Sequence, residues 1–298
     1  MTPEPGAEQR LERHYDHWKR HGSHLAEYFS EFWGTAFLLL CVVGVVSVMF
    51  GSGSPVPRAV PSPSLRLLLA GLMLGSAGSL VAISPLGRLS GAHLNPAVSV
   101  GFWMLGKMHG RDMAGYVLSQ MAGGLVGAFA GSRVFGRLGR QVHEAALRPA
   151  AQVGTAGVFG SEMAATFALS LVLYTCVSHK PLLRWTPLIL ALSVGLLVWA
   201  DGSYSGAGMN PARWFGPAFT TRTWLYGAAY ALAPVFGALA AAGLRRTNLF
   251  HPSMPHTGKF LHDSRYRSVF KRDSLPTRIP ASVVAHSVRP SLSHMRML

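Results

Sequence analysis

Residues 90–97 read SGAHLNPA, and residues 205–213 read SGAGMNPAR. Both stretches share the pattern Ser-Gly-Ala-x-x-Asn-Pro-Ala. Asparagine is a favoured helix N-cap, and proline is tolerated in the first helical turn because the N–H that it lacks would be unpaired there. The runs 95–106 and 210–221 continue from each asparagine, and their only charged residue is Arg213. We therefore expect two short helices that start in matched surroundings.

The composition around these stretches is that of a membrane protein. Of the 298 residues, 49% are hydrophobic and 13% are charged, whereas soluble domains carry about 25% charged residues. The net charge is +15 at pH 7, but the basic residues lie in tails and connections, so the charge does not indicate a nucleic-acid partner. Cys41 and Cys176 fall inside apolar stretches, which favours buried core residues over a disulfide.

Six apolar stretches qualify as membrane spans, since about 20 apolar residues cross a hydrocarbon core of about 30 Å. The predicted spans are 32–50, 67–87, 113–132, a stretch ending at residue 178, 185–200 and 223–244. They define a membrane domain over 25–246. A basic N-terminal tail, 1–24, precedes it, and a basic C-terminal tail, 247–298, follows it. The C-terminal tail has few apolar runs, so its composition predicts disorder.

The second half of the domain repeats the plan of the first. Residues 30–35 and 161–166 both read Ser-Glu-x-x-x-Thr, and each repeat, about 25–135 and 155–246, contains two spans, an Asn-Pro-Ala segment and a third span. Because three is an odd number, the second repeat enters the membrane inverted. The predicted fold is all-α, with six transmembrane helices and two re-entrant half-helices. The distribution of Lys and Arg favours cytoplasmic termini.

Half-helices entering from opposite faces bring their N-termini together near the membrane midplane. Eight to ten helical residues span about 12–15 Å, half the hydrocarbon thickness. Each N-terminus carries roughly half a positive charge, which repels cations and protons. Asn95 and Asn210 offer amide donors to a passing oxygen atom. This arrangement suits a neutral, hydrogen-bonding solute.

These motifs resemble the aquaporin, or major intrinsic protein, family over about residues 25–246. The resemblance implies a passive channel for water and small uncharged solutes, with no enzymatic activity, cofactor or metal. It also implies a homotetramer in the cell membrane, whether plasma or inner membrane. The pore motifs are Asn95, Pro96, Ala97, Asn210, Pro211 and Ala212. By the same resemblance Glu31 and Glu162 brace the loops through hydrogen bonds, although a buried carboxylate also suits a proton relay.

The resemblance further places a selectivity filter at Arg213, Ala207, Val198 and a residue of the second span. Counting back without gaps gives Gly75, and one inserted residue would make it Leu74. This set is small and apolar beside one charge. It is similar to the wide filters of nodulin-26-like channels and aquaglyceroporins, which implies passage of glycerol-like polyols or neutral metalloid hydroxides.

Three alternatives remain open on the sequence. A water-selective aquaporin shares the same fold. A secondary transporter can also use inverted repeats and broken helices, but the spans offer only Glu31 and Glu162 as coupling-ion ligands. An intramembrane enzyme would need a catalytic constellation that the spans lack. His93 either faces the inner vestibule or is packed.

Overall fold

A computed structural model describes residues 5–247, 254–271 and 273, with side chains from residue 13 onwards. In these residues the chain forms twelve α-helices and no strand. The helices are α1 Pro5–His21, α2 Leu25–Phe50, α3 Val56–Ala59, α4 Pro63–Ile83, α5 Pro85–Ser90, α6 Pro96–Met104, α7 Gly110–Gln141, α8 Thr155–Ser178, α9 Lys180–Leu183, α10 Thr186–Asp201, α11 Pro211–Thr221 and α12 Gly227–Arg246.

The six predicted spans correspond to six of these helices. Five of them, α2, α4, α7, α8 and α12, are long and apolar enough to cross a membrane. The sixth, α10, is apolar but has 16 residues, or about 24 Å at 1.5 Å per residue. Helix α7 continues beyond the predicted end of its span, with a break at Gly136, where φ is 42° and ψ is −111°. The predicted fold class is confirmed.

Helix packing follows the predicted repeat. Helix α2 packs on α7 in the first half as α8 packs on α12 in the second, while α4 and α10 join the halves. Glycines lie where these helices cross. A Cβ on Gly127 would lie 2.1 Å from Ala36 O, and a Cβ on Gly237 would lie 2.3 Å from Met163 O. Only a residue without a side chain allows backbones to approach this closely.

The two Asn-Pro-Ala stretches begin half-helices, as predicted. Asn95 Oδ1 accepts a hydrogen bond of 2.9 Å from Ala97 N at the start of α6. Asn210 Oδ1 accepts one of 2.9 Å from Ala212 N at the start of α11. Helices α6 and α11 have 9 and 11 residues, so each is too short to span the bilayer alone.

The described parts of the terminal segments are more ordered than their composition predicts. Helix α1 buries Tyr15 and Trp18, so part of the expected N-terminal tail is packed on the transmembrane helices. Residues 254–271 and 273, here called the inner cap, bury Val269 and Phe270 in the same region. The expectation of a disordered C-terminal tail is therefore wrong for the inner cap, because its few aromatic residues find an apolar surface. The structure does not describe residues 1–4, 248–253, 272 and 274–298. For the C-terminal residues among them, the prediction of disorder therefore stays a prediction.

Candidate functional site

The two half-helices meet head to head inside the protein. Asn95 Nδ2 donates a hydrogen bond of 2.9 Å to Met209 O, and Asn210 Nδ2 donates one of 2.9 Å to Leu94 O. Each capping asparagine therefore binds the backbone immediately before the other one. This reciprocal pair joins the N-termini of α6 and α11, as the inverted repeat requires.

The stretches that lead into the half-helices share an unusual backbone. Gly91 and Gly206 both have φ of 98°, a conformation open to glycine and costly for other residues. Four non-glycine residues also have positive φ, and they occupy equivalent positions in the two stretches: Ala92 (57°), Leu94 (52°), Ala207 (48°) and Met209 (50°). A left-handed L-residue costs roughly 1–2 kcal/mol, so the surroundings must hold these stretches in place.

In the first stretch a buried carboxylate supplies that support. Glu31 Oε1 accepts a hydrogen bond of 3.1 Å from His93 N, and Glu31 Oε2 accepts one of 2.8 Å from Leu94 N. Gln120 Nε2, on α7, donates a further hydrogen bond of 2.7 Å to Oε2. The sequence analysis did not identify Gln120, because an isolated glutamine on a long apolar helix gives no distinct signal.

Glu162 repeats the arrangement in the second stretch. Its Oε1 accepts a hydrogen bond of 2.7 Å from Gly208 N, and its Oε2 accepts one of 2.6 Å from Met209 N. Ser205 Oγ lies 2.8 Å from Glu162 Oε1 and 2.6 Å from Asp201 Oδ2. Asp201 therefore belongs to this network; it lies one residue beyond the predicted span 185–200, and the sequence analysis did not single it out. These contacts support bracing over a proton relay.

A continuous cavity of about 140 Å³ runs past the paired asparagines. Arg213 borders its outer end, Phe260 of the inner cap borders its inner end, and Asn95 and Asn210 lie between them. A single ordered water needs only about 10–15 Å³ of such volume. The cavity therefore holds several waters or one larger solute.

A second cavity lies next to the first, on the side away from the inner cap. This outer vestibule has a volume of about 370 Å³. The residues that border both cavities are Leu74, Val198, Ala207 and Arg213. These four residues lie where the two spaces meet, and this junction is here called the passage.

Gly75 and Leu74, the two candidates for the second-span position, lie differently with respect to the two cavities. Gly75 borders the inner cavity but not the outer vestibule, and a Cβ on Gly75 would lie 2.5 Å from Ala191 O on α10. Because Gly75 has no side chain, the backbones of α4 and α10 can approach closely where the two helices cross. Leu74, one residue earlier, borders both cavities.

Arg213 is held by the connection between the repeats. Its Nη1 donates a hydrogen bond of 2.9 Å to Ala145 O. Ala145 lies in the 3₁₀ turn His143–Ala145 and has φ of 63°. The loop that joins the two repeats thus positions the one charged side chain of the passage.

His93 is both packed and part of the pathway. Its ring stacks on Phe102 with centroids 4.7 Å apart, and Nδ1 lies 3.1 Å from Ser99 Oγ. Nε2 lies 2.9 Å from Gly258 O of the inner cap. His93 also borders the cavity. Among the described residues no group of three or more His, Cys, Asp and Glu side chains is arranged to hold a metal.

The chain matches a protein-family model, Major intrinsic protein, over residues 18–244. The reciprocal asparagines and the two equivalent carboxylates agree with this match. The chain belongs to the major intrinsic protein family. It is therefore an integral, multi-pass membrane channel of a family that transports water and small solutes. The match ends before the inner cap begins.

Relatives of this family member include archaeal and animal aquaporins. Aquaporin AqpM of Methanothermobacter thermautotrophicus is 31% identical over 236 residues, which cover 72% of this chain and 93% of the relative. Aquaporin-8 of Mus musculus is 33% identical over 215 residues, covering 70% and 81%. The solved aquaglyceroporin of Plasmodium falciparum is 22% identical, with a TM-score of 0.62, and the match covers 76% of this chain and 98% of that one.

Proposed function

We propose that this family member passively conducts water and small uncharged solutes of glycerol size, such as polyols or neutral metalloid hydroxides. The passage at Leu74, Val198, Ala207 and Arg213 carries this proposal. Three apolar side chains line it beside one guanidinium, which donates hydrogen bonds and accepts none. Such a lining suits a solute that has both apolar carbon atoms and hydroxyl groups.

We propose that ions and protons are excluded at two places. At the paired asparagines the N-termini of α6 and α11 each present roughly half a positive charge. One N–H of each side-chain amide is used between the stretches, which leaves the second for a passing oxygen atom. At the passage Arg213 adds a full positive charge.

A water-selective channel is the second candidate, and one observation favours it. Leu74 borders both cavities and Gly75 does not, so a branched side chain occupies space that a glycine would leave open. Such a passage is narrower than one that has Gly75 at the second-span position. The two candidates differ in glycerol flux and not in water flux.

Stopped-flow light scattering on proteoliposomes separates these candidates. Under an impermeant osmolyte we expect fast shrinkage; under glycerol we expect fast shrinkage followed by protein-dependent re-swelling. Absence of that re-swelling would establish the water-selective channel instead. Saturable, gradient-coupled uptake would support a secondary transporter.

Larger side chains in the passage test whether it selects between solutes. We expect Leu74→Phe combined with Val198→His to suppress glycerol flux more than water flux, because the larger side chains exclude the larger solute first. The matched control is Met73→Phe, since Met73 is 45% exposed on the outside of α4. Equal losses of both fluxes in the double variant would overturn the assignment.

We also propose cytoplasmic termini and a homotetramer in the cell membrane. The face that carries α1 and the inner cap is here called the inner face. Basic residues of the connections on this face are Arg88, Lys107, Arg111, Lys180, Arg184, Arg245 and Arg246. Those of the opposite face are Arg58, Arg66, Arg133, Arg137, Arg140, Arg148 and Arg222. The connections are therefore balanced, but α1 and the inner cap add Lys19, Arg20, Lys259 and Arg267 to the inner face. This excess supports cytoplasmic placement of the inner face, and protease protection in sealed cells tests it.

A further inference from the structure

The inner cap lies directly across the inner end of the cavity. Gly258 O lies 2.9 Å from His93 Nε2, and Phe260 N donates a hydrogen bond of 3.1 Å to Gly91 O. The ring of Phe270 packs on the backbone of Gly91, where a Cβ would lie 3.0 Å from Phe270 Cε2. The cap therefore binds the first Asn-Pro-Ala stretch itself.

Phe260 reaches across the mouth of the cavity. On one side it packs with an apolar cluster formed by α4 and the first Asn-Pro-Ala stretch, which includes Val81 and Leu94. On the other side it packs against a cluster of α6, α8 and α10, which includes Phe102 and Leu190. It also borders the cavity. A solute leaving the inner end meets this ring.

We propose that the inner cap gives the channel a second constriction, formed by Phe260, which limits flux at the inner mouth. The residues that make it lie beyond the family match, which ends at residue 244. The flux of this channel is thus set by a segment of its own chain as well as by the passage at Arg213. The proposal rests on the chain being a channel but not on which solute it carries.

Charged contacts hold the cap around the rim of the mouth. Arg267 makes a two-pronged ion pair with Glu27 on α2, with Nε–Oε1 of 2.6 Å and Nη2–Oε2 of 3.0 Å. Asp273 Oδ1 lies 3.3 Å from Lys107 Nζ beyond α6. Bidentate pairs of this kind fix geometry as well as adding energy.

Polar contacts complete the ring of anchors. Tyr15 OH, on α1, receives a hydrogen bond of 2.7 Å from Ser268 N and lies 3.1 Å from Ser268 O. Lys259 is fully buried, and its Nζ donates hydrogen bonds of 2.8 Å to Arg88 O and of 2.8 Å to Arg267 O. His256 N donates one of 2.8 Å to Val177 O on α8. Contacts on so many sides of the mouth leave the cap seated over it.

The test compares two variants with a matched control in the full chain. Phe260→Ala removes the ring, and Arg267→Ala removes the ion pair that seats the cap; we expect either change to raise osmotic water permeability several-fold in proteoliposomes. The control is Arg265→Ala, two residues away. Arg265 is exposed and pairs with Asp263 inside the cap, so its loss should leave the permeability unchanged.

Amine labelling of Lys259, followed by mass spectrometry, reports the position of the cap independently of flux. We expect little labelling in the unaltered chain and in Arg265→Ala, and strong labelling in Arg267→Ala. If Lys259 becomes labelled while permeability stays unchanged, the cap moves without limiting flux and the proposal is overturned. Unchanged permeability in Phe260→Ala protein that remains folded by its unfolding temperature also overturns it. Neither result alters the ratio of glycerol to water flux, which tests the proposed function separately.

Discussion

At the scale of single residues, two buried carboxylates bind the stretches that lead into the half-helices. The lead-in stretches contain left-handed residues such as Leu94 and Met209, whose amide hydrogens point away from any regular helix. Glu31 and Glu162 accept those hydrogen bonds. A buried charge is costly unless hydrogen bonds satisfy it, and here the backbone N–H groups provide them. Each side of the contact therefore stabilises the other.

Glu162→Gln tests this mutual support. The glutamine retains one acceptor oxygen but places an NH₂ group against a backbone N–H of Gly208 or Met209. Because hydrogen bonds to charged groups contribute about 1.5–3 kcal/mol, we expect the free energy of unfolding to fall by about 2 kcal/mol and the unfolding temperature of the purified protein to drop. Asp16→Asn, at an exposed position, serves as the control. Loss of proton-coupled uptake with unchanged stability would instead support a relay.

At the scale of elements, the crossing of α4 and α10 decides which side chain faces the passage. Gly75 lies against the backbone of Ala191, and this contact fixes the rotation of α4. The rotation in turn places Leu74 where both cavities meet. The passage is thus a consequence of helix packing and not of the local sequence.

Two glycines on the same helix test this element. A Cβ on Gly75 would lie 2.5 Å from Ala191 O and 2.7 Å from Ala191 Cα, whereas a Cβ on Gly78 would meet nothing within 4 Å. Overpacking costs typically 1–3 kcal/mol, so Gly75→Ala should lower the unfolding temperature. Gly78→Ala should maintain or raise it, because alanine favours a helix by up to about 1 kcal/mol. Equal unfolding temperatures would contradict the close crossing.

At the scale of the whole molecule, the inner cap brings the N-terminal and C-terminal segments together over one end of the pathway. Its buried amine makes this contact sensitive to pH. Burial lowers the pKa of Lys259 from 10.5 to about 8, although Asp273, Glu27 and Asp263 act to raise it and Arg267 to lower it further. A lysine released with the cap returns to its ordinary pKa.

Alkaline pH should therefore seat the cap more firmly. Between about pH 8 and pH 10 the released state holds the Lys259 proton and the capped state does not, so raising the pH favours the capped state. We expect water permeability of the full chain to fall as pH rises from 7 to 9. Lys259→Met should flatten this dependence, although burial also lowers the pKa of Lys19 in the same region. A permeability that rises over the same pH range would contradict the sign.

Much of the architecture is determined by the sequence itself. Residue types and spacing predict the spans, the inverted repeat and the two capped half-helices, because hydropathy and N-cap preference are local properties of the chain. Glu31 and Glu162 occupy equivalent positions in the two repeats, which also predicts that their roles are equivalent. In each case the signal lies within a few residues or recurs at the same place in both halves.

The tertiary structure decided the rest. Gly75 and Leu74 are adjacent and both lie on the predicted span, so only the packing of α4 on α10 separates a crossing residue from a passage residue. Composition averaged over the C-terminal segment predicts disorder, yet Phe260 and Phe270 find their apolar partners in distant parts of the chain. Contacts between distant residues depend on how the helices assemble, and no local pattern encodes that assembly.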